Sequence, residues 1–172
     1  METSKVKLVD PSYLIGAENP ELVNKAFSAL VDRAQDLAWV AGLVEGEGCF
    51  SVGKNRVKKK EGGAYKYVRC VFVMHMTDYD VMQKASEILG LKLKGPYKRY
   101  EKRKDGNERK PYWAVETNSQ SKVREICDLL YSYMGERRRS KIREVLAVLD
   151  DKDEQRRNRE LAKDKGSLRD VE

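Results

Sequence analysis

The segment Trp39-Val40-Ala41-Gly42-Leu43-Val44-Glu45-Gly46-Glu47-Gly48 occurs once and restricts the possible folds more than any other stretch of the chain. Asp32 is placed to cap a helix whose apolar positions include Leu37, Val40, Leu43 and Val44, and Gln35 is set for a capping box. Gly46 and Gly48 end that helix. Ala38, Gly42 and Gly46 fall four residues apart and share one face, which is nearly free of side chains and suits the close approach of a second helix. Glu45 and Glu47 stand at the carboxyl end, where the helix dipole disfavours negative charge. Helix stability alone does not select them there, and a bound cation would remove the objection.

Ala41 to Gly48 closely resembles the signature of the LAGLIDADG homing endonucleases, with Val40 in place of the leading Leu and Glu for Asp at both acidic positions. Leu37 to Phe50 is similar to the signature helix running into its first strand. In that family the second acidic residue binds a divalent metal. The resemblance gives this role to Glu47, with the carbonyl of Gly46 as a further ligand. It implies a Mg2+-dependent endodeoxyribonuclease that makes a staggered double-strand break at a long recognition site, with Mn2+ or Ca2+ able to substitute for binding. No nucleotide cofactor is implied. Proteins with a single signature are typically homodimers, which would put Ala38, Gly42 and Gly46 at a two-fold axis. Two more site residues follow by similarity. His75 ends the second strand of the first hairpin, where a polar residue organises water. Arg138, within Arg137-Arg138-Arg139, precedes the later helix, where a basic residue faces the cleavage centre.

At 172 residues there is room for one ordinary domain with a real core. Cys49, Cys70 and Cys127 are odd in number, widely spaced and set in apolar segments, so they read as buried free thiols. That reading implies an intracellular, reducing compartment: the cytoplasm of a prokaryote or an organelle. His75 is the only histidine, which argues against sites that need two imidazoles. The N-terminus lacks the basic-then-apolar order of a secretory signal, and no run is long and apolar enough to cross a membrane.

The net charge of +7 suggests an acidic partner, and its distribution is more telling than its total. Lys54 to Arg69 holds seven basic residues against Glu61; Lys92 to Lys110 holds nine against Glu101, Asp105 and Glu108. Both segments read as β-hairpins, and two basic hairpins of similar length suit a surface that follows phosphates.

Along the chain, Asn19 and Pro20 open a first helix with Leu22, Val23, Phe27, Leu30 and Val31. After the signature, Cys49 to Val57 and Tyr65 to Met76 read as strands about a Gly-containing turn. Asp78 caps a helix through Val81, Met82, Ala85, Ile88 and Leu89, closed by Gly90. Tyr97 to Arg103 and Tyr112 to Thr117 read as the second hairpin, about Asp105-Gly106-Asn107. Ser119 or Ser121 caps a helix that Gly135 breaks, and Ser140 to Leu149 forms another. From Asp150 the sequence is a solvated helix or a disordered tail. The expected class is α+β. The order agrees with the αββαββα arrangement that the resemblance implies, in which a four-stranded antiparallel saddle lies over the major groove, here with an extra N-terminal helix. The expected divisions are an arm and helix over 1–32, a core over 33–149 and a charged tail over 150–172.

Sequence reading on double-stranded DNA is expected from outward side chains of the strands: Ser51, Asn55, Tyr67, Arg69, Arg99, Glu101, Arg103, Tyr112 and Glu116. Lys58, Lys59, Lys60 and Lys102 are expected to hold the backbone. Phe50, Val52, Trp113 and Val115 belong to the opposite, core face. Without splicing residues flanking the signature domain, a free intron-encoded nuclease is favoured over an intein. The alternative is an RNA-splicing maturase or a non-cleaving DNA-binding protein on the same fold, for which the acidic pair would be dispensable. A generic RNA-binding domain, stacking bases on Tyr65, Tyr67, Tyr97 and Tyr100, leaves the signature helix unexplained.

Overall fold

A computed structural model describes residues 20–58, 63–98 and 108–167. The chain divides into two units, Met1–Asp36 and Leu37–Glu172. In the first, the described residues are helical, and Leu22, Phe27, Leu30 and Val31 are exposed. Asp32 does not start a new helix, contrary to the expectation above: α1 runs without a break over Pro20–Glu47. No Gly or Pro lies between Pro20 and Gly42, so nothing disrupts the backbone ladder at the position where the capping residue occurs.

In the second unit, α1 ends at the glycines. Strand β1 (Gly48–Lys58) follows directly and pairs antiparallel with β2 (Ala64–Met76). A Cβ on Gly48 would lie 2.7 Å from Val44 Cγ1 and 2.8 Å from the Val44 carbonyl oxygen, so the helix-to-strand junction closes only around a bare backbone. Helix α2 (Tyr79–Leu89) begins after Asp78 and ends at Gly90, whose φ of 59° is the left-handed cap that glycine supplies most readily. The amide of Leu91 closes that turn on the Ser86 carbonyl at 2.9 Å.

The next strand corrects the sequence reading. Strand β3 is Leu93–Tyr97, beginning four residues before the expected Tyr97, and it pairs with β4 (Tyr112–Thr117); the expected strand residues 99–103 lie outside the described residues. The segment Leu91-Lys92-Leu93-Lys94 alternates as a strand should, but Gly95-Pro96 argues against one. Proline is accepted here because β3 is an edge strand in the order β1-β2-β4-β3. The expected turn Asp105-Gly106-Asn107 and the expected tail beyond Ser167 lie outside the described residues. Helix α3 (Gln120–Leu130) starts after Ser119, passes into a short 3-10 turn over Tyr131–Tyr133, and leads to α4. Helix α4 spans Glu136–Ser167, beginning four residues before the expected Ser140 and carrying the charged segment as a solvated helix.

Alternation along the strands divides the sheet into two faces. Phe50, Cys70, Phe72, Met74 and Val115 are buried against Val40 and Val44 of α1, Met82 and Leu89 of α2, Ile126 and Leu130 of α3, and Ile142 and Val145 of α4. Phe50 and Phe72 meet at 5.1 Å between ring centres. Val52 and Trp113 pack against this core while partly exposed. Arg124 binds Asp150 at 2.8 Å and Asp153 at 3.1 Å, which fixes α3 on α4. Burial works against the Arg124 charge, but the two aspartates outweigh it and raise its pKa. Cys70 and Cys127 are buried as expected; Cys49 is exposed, because it alternates with Phe50 and shares the outer face with its partner Val73.

Candidate active site and nucleic-acid interface

The last turns of α1 have two unlike faces. Leu37, Val40, Ala41 and Val44 are buried in the core, while Ala38, Gly42 and Gly46 are exposed. Cβ atoms added at Gly42 and Gly46 would meet nothing within 4 Å. The packing of the chain itself therefore does not require glycine at either position. Beside this open face, Lys84 Nζ lies 4.7 Å from the centre of the Trp39 ring.

The two acids at the tip have different surroundings. Glu47 is exposed. Glu45 is half-buried, and its Oε2 is buried without a hydrogen-bond partner. Arg138 of α4 donates from Nη2 to the Glu45 carbonyl oxygen at 3.0 Å, while its own Nε is buried and unpartnered. The C-terminus of α1, which has no basic residue in its last turn, thus receives a cation from another element. That answers the dipole objection without a bound ion at Glu45. Of the neighbouring arginines, Arg139 donates to the carbonyls of Tyr131 and Ser132 at 3.2 and 3.0 Å, and Arg137 is exposed.

The register sets His75 at the same end of the sheet. Gly48 pairs with Met74, so β2 passes the start of β1 at His75, level with the tip of α1. His75 is exposed and meets Tyr112 edge-on at 5.5 Å between ring centres. Opposite pairs place Ser51 with Val71, Asn55 with Tyr67, and Val73 with Glu116 on the outer face, with Arg69 across from Gly53. Those pairs bring Ser51, Tyr67, Arg69 and Glu116 onto one surface, away from the core, and the backbone of Asn55 shares their register. Lys58 ends β1. Lys59, Lys60, Arg99, Glu101, Lys102 and Arg103 lie outside the described residues.

One residue on this face is absent from the sequence-based set. Lys94 of β3 forms an ion pair with Glu116, Nζ to Oε1 at 3.0 Å, and the two line a shallow hollow with Arg69, Val71, Thr117 and Asn118. The Leu-Lys alternation of residues 91–94 was the available signal. Among the described residues, no three His, Cys, Asp or Glu side chains converge as a metal cage. No helix among them is long and apolar enough to cross a membrane.

The sequence profile of the LAGLIDADG endonuclease family matches residues 40–147. No curated protein sequence matches the chain significantly. Among solved structures, the group I intron-encoded homing endonuclease I-CeuI in complex with DNA superposes with a TM-score of 0.50 at 13% identity, over 67% of this chain and 54% of that one. The homing endonuclease I-CvuI, bound to its target in the presence of 2 mM Ca, gives 0.49 at 20% identity, over 70% and 69%. The homing endonuclease I-TnaI gives 0.48 at 19% identity, over 66% and 70%. The four-stranded antiparallel sheet with flanking helices is the LAGLIDADG endonuclease fold, here with an extra helical segment before the signature.

Proposed function

Because this chain belongs to the LAGLIDADG endonuclease family, we propose that it is a site-specific DNA endonuclease that makes a staggered double-strand break at a long recognition site. The observation that carries this reading is the tip of α1: an exposed carboxylate, Glu47, beside a helix face where a Cβ added at Gly42 or Gly46 would meet nothing within 4 Å among the described residues. A second copy of the chain fits that face. Pairing about Ala38, Gly42 and Gly46 would bring two Glu47 side chains together, one for each strand of a duplex.

The donors available at the tip suit a hard cation. Glu47 offers one carboxylate and Gly46 a carbonyl with no side chain to obstruct it. An open oxygen site of this kind fits magnesium, which retains waters and takes one or two carboxylates together with phosphate oxygens; manganese or calcium can bind in its place. Once bound, the ion supplies an activated water, neutralisation of the phosphate and stabilisation of the leaving oxygen. The chain contributes placement. Glu47 fixes the position of the cation, and His75, at the end of β2, orients water beside the scissile phosphate. The outer face of the sheet, through Ser51, Asn55, Tyr67, Arg69, Tyr112 and Glu116, reads base edges, while the basic segments hold phosphates. Three unbridged cysteines are consistent with action in a reducing compartment.

The test is to incubate the purified protein and Mg2+ with a library of randomised duplexes and to sequence the cut ends. One recurring site with staggered ends is expected. Failure to cut any member at any Mg2+ concentration overturns the reading.

A further inference from the structure

We propose that Arg138 is a positioning residue that clasps the acidic tip of α1 through Glu45 and so sets the place of Glu47 before DNA arrives; the purpose of the clasp rests on the nuclease reading above. Helix α1 ends in carbonyls that no later residue of the helix can satisfy, and its last turn contains two acids and no base. Arg138 approaches from the first turn of α4. Its amide donates to the Gly135 carbonyl at 3.0 Å, which locks its backbone, and Nη2 reaches the Glu45 carbonyl oxygen at 3.0 Å. The guanidinium is half-buried and committed to a protein oxygen, unlike that of Arg137, which stands in solvent.

The Glu45 carboxylate lies against Gly135, just before α4. A Cβ at Gly135 would lie 3.3 Å from its Oε1, so the acid is seated against the start of α4, and a side chain there would press the carboxylate back by a few tenths of an ångström. Glu45 Oε2 and Arg138 Nε are both buried and both unpartnered. One is an acceptor and the other a donor, on the two residues that Nη2 and the Glu45 carbonyl oxygen already join at 3.0 Å. Two acids that look equivalent in the sequence therefore divide the work. Glu45 faces inward and anchors; Glu47, two residues on, is free to face outward. Holding a helix end from a second element is how a first ligand is kept in place with no reorganisation at the moment of reaction.

The experiment compares Arg138→Ala, Arg138→Lys, Glu45→Gln and Gly135→Ala in the full chain. Amide hydrogen exchange over Val44 to Gly48, measured without DNA or metal, should rise about tenfold in Arg138→Ala and Glu45→Gln, and Arg138→Lys should recover part of the loss. Gly135→Ala leaves Arg138 intact while crowding Glu45. It should move exchange in the same direction, and it decides the matter if Arg138→Ala fails to fold. On a mixed-sequence DNA duplex, the slope of log affinity against log salt should be the same for Arg138→Ala as for the unmodified protein, since no phosphate contact is lost. On a target recovered from randomised duplexes, the Mg2+ concentration for half-maximal cleavage should rise about tenfold. A salt slope reduced by about one would make Arg138 a phosphate contact and overturn the proposal. Unchanged exchange at Val44 to Gly48 in the folded variants would overturn it as well. Absence of cleavage by the unmodified protein would overturn the nuclease reading instead, and the exchange data would still decide the clasp.

Discussion

Lys94 Nζ lies 3.0 Å from Glu116 Oε1 on the outer face of the sheet, in the hollow that Arg69 and Asn118 also line. The two side chains are 40% and 39% exposed, so the pair adds less than about 1 kcal/mol to stability. On the proposed reading its effect belongs to recognition. If this face meets DNA as proposed, Glu116 would keep Lys94 from reaching freely toward phosphates and would present an acceptor beside a donor, as a base-pair edge in the major groove requires. Glu116→Gln should raise affinity for mixed-sequence DNA and reduce discrimination at one base pair of the target by about 1–3 kcal/mol. Cleavage of a set of singly substituted targets measures this; a profile unchanged at every position would remove the pair from recognition.

Glu47→Gln retains the size of the side chain and removes the charge that a cation needs. Cleavage should be abolished while specific binding, measured by gel shift with Ca2+ or without metal, stays within a few-fold of the unmodified protein. Cutting at the normal rate would disprove the metal assignment.

The end of the signature helix, strands β1, β2 and β4, and the outward placement of Ser51, Tyr67, Arg69 and Glu116 were legible because each rests on a local rule: a helical period, strand alternation, a glycine at a stop. Cys49 shows the limit of reading by segment character alone, since an apolar neighbourhood said buried while alternation against Phe50 said exposed. The continuity of α1 through Asp32 was missed because a capping residue is only an option that an unbroken helix need not use. Lys94 was missed because the edge position that tolerates Pro96 is a property of the whole sheet. The contact of Arg138 with Glu45 spans 93 residues, and no local pattern encodes it.

Gly42 offers a test of pairing between copies. A Cβ there meets nothing within 4 Å, so Gly42→Leu should leave the thermal midpoint of the isolated protomer unchanged or slightly higher, because glycine is a poor helix residue. Sedimentation should nevertheless show a shift toward monomer, and double-strand cleavage should fall at least tenfold. A variant that remains dimeric and active would place the pairing surface elsewhere.

The three thiols should separate in a labelling experiment. Cys49 is exposed and should react with a thiol reagent within minutes at pH 8, whereas Cys70 and Cys127 should react only on unfolding. Burial, with Asp128 next, pushes the Cys127 thiol up to about 12. A raised folded-state pKa means stability that is complete below pH 9, the ordinary value, and is lost as pH climbs from there toward 12. Urea midpoints that decline over that window in the unmodified protein, and less so in Cys127→Ala, are the expected result; three thiols reacting together in the native protein would contradict the packing.

Salt dependence tests the charge distribution directly. Lys54 to Arg69 and Lys92 to Lys110 each carry an excess of six positive charges, and the chain as a whole carries seven, so the remainder is net acidic and the proposed phosphate-holding surface is the two basic segments. A homodimer would present four such segments to one duplex. If only some of these charges meet phosphates, about 6–10 counterions are released, and affinity should drop by about 10³–10⁵ between about 50 and 200 mM salt. Neutralising Lys98 and Lys110 together should lower the slope without changing which target is preferred, since lysines that meet phosphate contribute energy but no sequence information. Fluorescence anisotropy over a salt series provides both quantities. A shallow slope in the unmodified protein would mean that the basic segments are solvated surface, and the DNA would then have to be held by the strand side chains alone.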